Sequence, residues 1–204
     1  MIKLVIFEFD DTLIDKWTVT FPATIEMAIK AMVSKGLKIG SLNAAVGRLA
    51  EINNQSNNLD EAITTYLKEI NSYDPVLIEI GKKAIYGMDF SGKIKPFPGV
   101  LEMLNKLYSK GVDLAIVTRG DEKIQTKNLS VSGLKLSQFK RVIVVSEEKE
   151  ESYKKILKEL KHSPAQTLIV GDRDVTDLLP GKNLGAKSAW IPKGRGRRNP
   201  PKRE

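Results

Sequence analysis

Near its start the chain reads Ile2-Lys3-Leu4-Val5-Ile6-Phe7, an apolar, β-branched run that stops at the polar stretch Glu8-Phe9-Asp10-Asp11-Thr12-Leu13. A short continuous apolar run of this kind marks a strand buried on both faces rather than one with a solvated face. From about residue 18 to residue 90 the periodicity changes to that of helices. Ile25, Ala28, Ile29 and Met32 form one stripe, which ends at Gly36, and Ala44, Val46, Leu49 and Ile52 form another, which ends in the Asn-rich stretch 53–58. Leu59 to Ile70 and Pro75 to Tyr86 predict two further helices, and nothing in this region requires a strand.

At Lys95-Pro96-Phe97-Pro98-Gly99-Val100 the turn residues announce another change. A helix to Lys110 is followed by strand-like Val112 to Val117, then by a helix and loop, by strand-like Val142 to Val145, and by a helix from Glu150 to Leu160. Leu168 to Val170 reads as a strand ending at Gly171-Asp172, Leu178 to Leu184 as a short helix, and Ser188 to Ile191 as a last strand. Alternation of strands and helices predicts an α/β fold, a Rossmann-like parallel sheet with helices on both faces. The expected organisation is a core of residues 1–15 and 95–192, an all-helical insert of residues 16–94 after the first strand, and an irregular tail of residues 193–204.

Composition narrows the chemistry. A hydrophobic share of 41% in 204 residues is enough for a core. The absence of cysteine excludes disulfides, thiolate zinc sites and thiol nucleophiles, and a single histidine, His162, cannot build a histidine metal site. Any metal must be held by oxygen, which favours magnesium or calcium over zinc. The first apolar run is too short for a signal peptide or a membrane span, and a cytoplasmic protein with no membrane contact is expected. Of the net charge of +8, the tail's six basic residues against Glu204 account for five. Such a block can reach nucleic acid or another anionic partner, but with no aromatic residues interleaved a solvated terminus is the plainer reading.

Ligands of open parallel sheets bind at the carboxyl ends of the strands. There the chain places Glu8, Asp10, Asp11 and Thr12, then Thr118-Arg119-Gly120, then Lys149, then Asp172 and Asp177. Glu8 and Asp172 can share a hard cation. Thr118 can donate to a phosphate oxygen, Lys149 can neutralise its charge, and the Asp11-Thr12 turn can add backbone N–H groups. Asp10 suits proton transfer to a leaving oxygen. Taken singly, each residue is equally well explained as a helix cap or turn residue, Thr118 included.

These residues resemble the motifs of the haloacid dehalogenase superfamily, most of whose members are phosphatases. Glu8-Phe9-Asp10-Asp11-Thr12-Leu13 resembles its first motif, D-x-D-x-T-L; Thr118 matches its second; Gly171, Asp172 and Asp177 match its fourth, G-D-x-x-x-x-D. Lys149 stands nearest the place of the third-motif lysine, with Lys154 and Lys155 as alternatives on the following helix. The resemblance extends to nearly the whole chain apart from the tail, and the helical insert resembles the family's commonest cap domain. It implies a magnesium-dependent phosphatase of a small phosphorylated metabolite. Glu8, Asp10, Thr118 and Lys149 would be the catalytic groups. Asp11, Thr12, Arg119 and Gly120 would join Thr118 and Lys149 at the phosphate, and Glu8, Asp10, Asp172 and Asp177 would hold Mg2+. The departure is Glu8, where the family has the attacking aspartate. A longer side chain there leaves a second outcome open, a protein that binds a phosphorylated ligand with weak turnover or none.

Overall fold

The structure, a computed structural model, describes residues 1–56, 59–86, 94–194, 196–198 and 200–201. Five parallel strands form one sheet: β1 (Leu4–Phe7), β2 (Asp113–Arg119), β3 (Phe139–Val145), β4 (Thr167–Gly171) and β5 (Lys187–Trp190), in the spatial order β3-β2-β1-β4-β5. All four residues of β1 are buried, as an apolar run at the middle of a sheet should be. The sheet reverses its direction of growth at β1, which lies between β2 and β4, so the crevice beside β1 is where a ligand fits.

At the sheet's edge β3 begins at Phe139, ahead of the expected Val142, and takes in Lys140 and Arg141, both exposed. Charged residues are tolerated on an edge strand, where they also discourage pairing with another chain, and for that reason the apolar signal starts late. One side of the core packs Leu4, Ile6, Ala115, Val117 and Ile169 of the strands against Tyr153 and Ile156 of α7 (Glu150–Leu160).

The chain divides into two compact units, Met1–Trp17 with Ser91–Glu204, and Thr18–Phe90. The described elements of the second are helical: α1 (Lys16–Val33, which starts in the first unit), α2 (Leu42–Gln55), α3 (Leu59–Glu69) and α4 (Pro75–Tyr86). The unit has its own core, in which Ile25, Ile29, Met32, Leu49, Ile63 and Leu67 are buried together. Ser41 starts α2 by accepting from the Ala44 N–H, and Asp74 starts α4 by accepting from the Val76 N–H, with Pro75 as the first helical residue. The segments that leave and re-enter the sheet unit lie side by side, since the Asp15 N–H donates to Lys95 O and the Phe97 N–H donates to Leu13 O. The remaining helices are α5 (Val100–Ser109), α6 (Glu122–Val131) and α8 (Leu179–Asn183), the last preceded by a π turn over Asp174–Leu178. No helix among the described residues is long and apolar enough to cross a membrane.

Candidate functional site

Because the strands are parallel, their carboxyl ends share one edge of the sheet. The Glu8 N–H donates to Val170 O at 2.8 Å, which continues the β1–β4 ladder one residue past the strand and carries the Glu8 side chain inward to 6% exposure. The chain then turns sharply. The Leu13 and Ile14 N–H groups return to Phe9 O, and Asp11 adopts the left-handed conformation at φ 58°, which Asp tolerates better than most residues. Thr118 lies near the end of β2 and is fully buried. Lys149 stands just before α7 and is 1% exposed, and Asp172 directly follows β4.

The contacts converge on Glu8. The Thr118 hydroxyl donates to Glu8 Oε1 at 2.7 Å, and the Lys149 ammonium pairs with Glu8 Oε2 and, at 2.7 Å, with Asp177 Oδ1. Burial lowers the Lys149 pKa, and the nearby Asp177 carboxylate opposes that shift. Asp177 is held in turn: its Oδ2 accepts from the Arg173 N–H, its Oδ1 also accepts from Thr176, and Tyr153 donates to its carbonyl. The Asp172 carboxyl is pushed up to about 8, first by burial and then by its neighbours Asp177 and Asp11. Asp11 is pushed up to about 6, chiefly by burial.

Thr118 does not cap the helix that follows it. Asp121 does, its Oδ1 accepting from the Ile124 N–H at 3.0 Å, so Thr118 is not the cap of that helix. Asp11, by contrast, does act on a helix start, accepting from the Trp17 N–H at 2.7 Å at the first turn of α1. Asp10 points elsewhere, its Oδ2 accepting from Lys16 at 2.5 Å and from Gln125 at 3.0 Å. Thr12 is buried beside these groups, with its hydroxyl making no hydrogen bond. Arg119 and Gly120 are exposed at the end of β2. Of the three lysines, Lys149 is the one in contact with Glu8, whereas Lys154 is exposed and paired with Glu150 and Glu151, and Lys155 is exposed.

Two contributors escaped the sequence reading. Gln125, 2% exposed, donates to both Asp10 and Thr118, and its only sequence signal is its place one helical turn beyond Asp121. The other is the tail. The Gly196 N–H donates to Asp172 Oδ2 at 3.2 Å, and Lys193 lies over the Phe97 ring at 5.3 Å. A short 3-10 turn covers Gly196–Arg198, while Arg195, Lys202, Arg203 and Glu204 lie outside the described residues.

The donor set suits a hard cation. It consists of oxygen, and an Asp172 carboxyl biased toward its protonated form by burial and then by neighbouring acids is one that a cation would return to its charged form. Glu8 and Asp172 would hold such an ion only in exchange for present contacts, since Thr118 and Lys149 engage both Glu8 oxygens and the Gly196 N–H engages Asp172 Oδ2. Of the other two expected ligands, Asp10 has Oδ2 engaged by Lys16 and Gln125, and Asp177 has both oxygens engaged within the protein. No cluster of three or more His, Asp or Glu residues stands ready to hold a metal among the described residues.

Comparison with known proteins bears on the family and the fold. A family model described as haloacid dehalogenase-like hydrolase matches residues 5–191. A glyceraldehyde 3-phosphate phosphatase of Pyrococcus abyssi is 26% identical over 202 residues, covering 96% of this chain and 83% of that protein. Among solved structures, a predicted phosphoglycolate phosphatase from Haemophilus somnus superposes with a TM-score of 0.70 at 21% identity, covering 93% of this chain and 84% of its own. The magnesium-bound hydrolase YfnB from Bacillus subtilis superposes with a TM-score of 0.64 at 20% identity, covering 93% and 86%.

Proposed function

Given that the chain belongs to the haloacid dehalogenase-like hydrolase family, we propose that it is a magnesium-dependent phosphatase of a small phosphorylated metabolite, with Glu8 in the place of the nucleophile. The observation that carries the reading is the buried convergence of Thr118 and Lys149 on the Glu8 carboxylate. A hydroxyl donor and an ammonium that hold a carboxylate are equally suited to the oxygens of a phosphoryl group.

A Glu8 oxygen attacks phosphorus while the bond to the leaving oxygen breaks, and Asp10 gives that oxygen its proton. Water then attacks the resulting acyl phosphate, Asp10 takes a proton from it, and Glu8 is released as a carboxylate. Glu8 and Asp172 would hold magnesium, which would supply positive charge to offset the negative charge of the phosphoryl group. Lys149 adds a second positive charge, and Asp177 keeps it in place. The helices of residues 16–94 serve as the cap that selects the substrate and excludes water. The Pyrococcus relative's name points to a substrate of triose phosphate size.

Glu8 places its carboxylate one methylene further out than aspartate, on the order of 1 Å, an error that costs about a hundredfold when reacting atoms must meet in line. Glu8 in that position is the basis of a second reading, in which the protein binds a phosphorylated ligand without turning it over. Hydrolysis of p-nitrophenyl phosphate and of glyceraldehyde 3-phosphate, each with and without Mg2+, decides between them. The unaltered protein is expected to turn over only with Mg2+, to lose activity in Asp10→Asn, and to gain about tenfold to a hundredfold in kcat in Glu8→Asp. Turnover by Glu8→Asp alone would establish the binding reading. No turnover by either protein would remove the phosphatase assignment.

A further inference from the structure

Gln125 is a buried amide placed between two groups of the proposed reaction. Its Nε2 lies 3.0 Å from Asp10 Oδ2 and 2.9 Å from Thr118 Oγ1, and its Oε1 accepts from Asn128 at 3.4 Å. A primary amide has two N–H bonds to give, and Asp10 and Thr118 are its two nearer acceptors, the Arg119 carbonyl lying further off at 3.5 Å. The amide cannot be turned round, because its oxygen would then face the carboxylate of Asp10, which when ionised has no hydrogen to offer.

The local sequence makes room for this. Asp121 caps α6, so the helix starts without help from Thr118, and Gln125 falls one turn later on the inward side. Gly120 matters for the same reason, since a Cβ there would stand 3.0 Å from Gln125 Cγ.

Resting on the reading of the protein as a phosphatase, we infer that Gln125 is a positioning residue that sets how Asp10 and Thr118 present their protons. The Thr118 oxygen accepts from Gln125, so its single hydrogen is directed at Glu8 Oε1, where the phosphoryl group must arrive. On Asp10, Oδ2 is occupied by Gln125 and Lys16, whereas Oδ1 is buried and makes no hydrogen bond. Gln125 therefore leaves Oδ1 as the oxygen that delivers the proton to the leaving group. A buried glutamine that merely satisfied its own amide would have no preference for these two partners.

The test compares Gln125→Met, which keeps length and bulk without the donors, and Gln125→Glu, which keeps the shape but replaces donors with acceptors. Turnover is measured with Mg2+ on p-nitrophenyl phosphate, whose leaving group needs little protonation, and on glycerol phosphate, whose leaving alkoxide needs a full proton. The background is the unaltered protein or Glu8→Asp, whichever turns over. Gln125→Met should lose at least about tenfold more kcat on glycerol phosphate than on p-nitrophenyl phosphate, with KM changed by less than about twofold. Gln125→Glu should lose more than Gln125→Met, because it sets a carboxylate against Asp10. Equal losses on both substrates, or no loss, would overturn the inference while leaving the phosphatase reading intact. A crystal structure of Gln125→Met gives an answer even without turnover: displaced Asp10 and Thr118 side chains support the inference, and unchanged ones reject it.

Discussion

Lys149 brings an ammonium group to a position with 1% exposure, where an unpaired charge would cost several kcal/mol. Its position is tolerated because Glu8 and Asp177 stand on either side, and because Asp177 is itself fixed by the Arg173 N–H and the Thr176 hydroxyl. Asp177→Asn keeps the shape and removes one of the two compensating charges. It is expected to destabilise the protein by about 3 kcal/mol in urea unfolding, the lower end for loss of one partner from a buried pair, since Glu8 remains. A change below about 1 kcal/mol would show that Glu8 alone compensates Lys149.

Asp177 depends on the path of the segment after β4. There the chain leaves the strand at Gly171 and makes a π turn over Asp174–Leu178 that folds Asp177 back over the strand end. A Cβ on Gly171 would stand 2.5 Å from Asp177 Cβ, so Gly171→Ala must push the turn away. The expected cost is about 1–3 kcal/mol in unfolding, together with a fall in turnover because Lys149 loses its anchor; full activity would refute this coupling. The elements themselves were largely legible in the sequence. Leu4 to Phe7 announced a central strand because a fully buried strand needs no polar face, and Ile25, Ala28, Ile29 and Met32 announced α1 because they share one side of it. Parallel topology then brought Glu8, Thr118 and Asp172 to one edge of the sheet. What stayed hidden depends on contacts that leave no periodic mark. Gln125 is an ordinary polar helix residue until its partners, Asp10 in the turn after β1 and Thr118 in β2, are known. The Gly196 N–H reaches Asp172 through its backbone, which no side chain signals.

Across the whole molecule these buried acids link folding to pH and, on the proposed reading, to metal. The Asp172 carboxyl has a pKa of about 8 in the folded protein against 3.8 as its ordinary value, and Asp11 shares the direction with about 6. Between those limits the folded state holds protons that the unfolded chain has released, so stability contributed by these groups is complete below about pH 4 and is lost as pH rises toward about 8. Lys149 has the opposite sign, its burial making stability rise with pH toward its ordinary value of 10.5, so the two effects need a control that separates them. Asp172→Asn supplies it: without added metal, its melting temperature should fall less than that of the unaltered protein between pH 5 and pH 8. Mg2+ should restore what ionised Asp172 costs. At about ten times its Kd it adds about 1.4 kcal/mol, and this gain should be large at pH 8, small at pH 5 where binding must displace a proton, and absent in Asp172→Asn. An Mg2+ effect of equal size in Asp172→Asn would place the ion elsewhere. A pH slope unchanged by the substitution would mean that Asp172 titrates normally, and that the acids at the end of β4 do not act on one another as their burial implies.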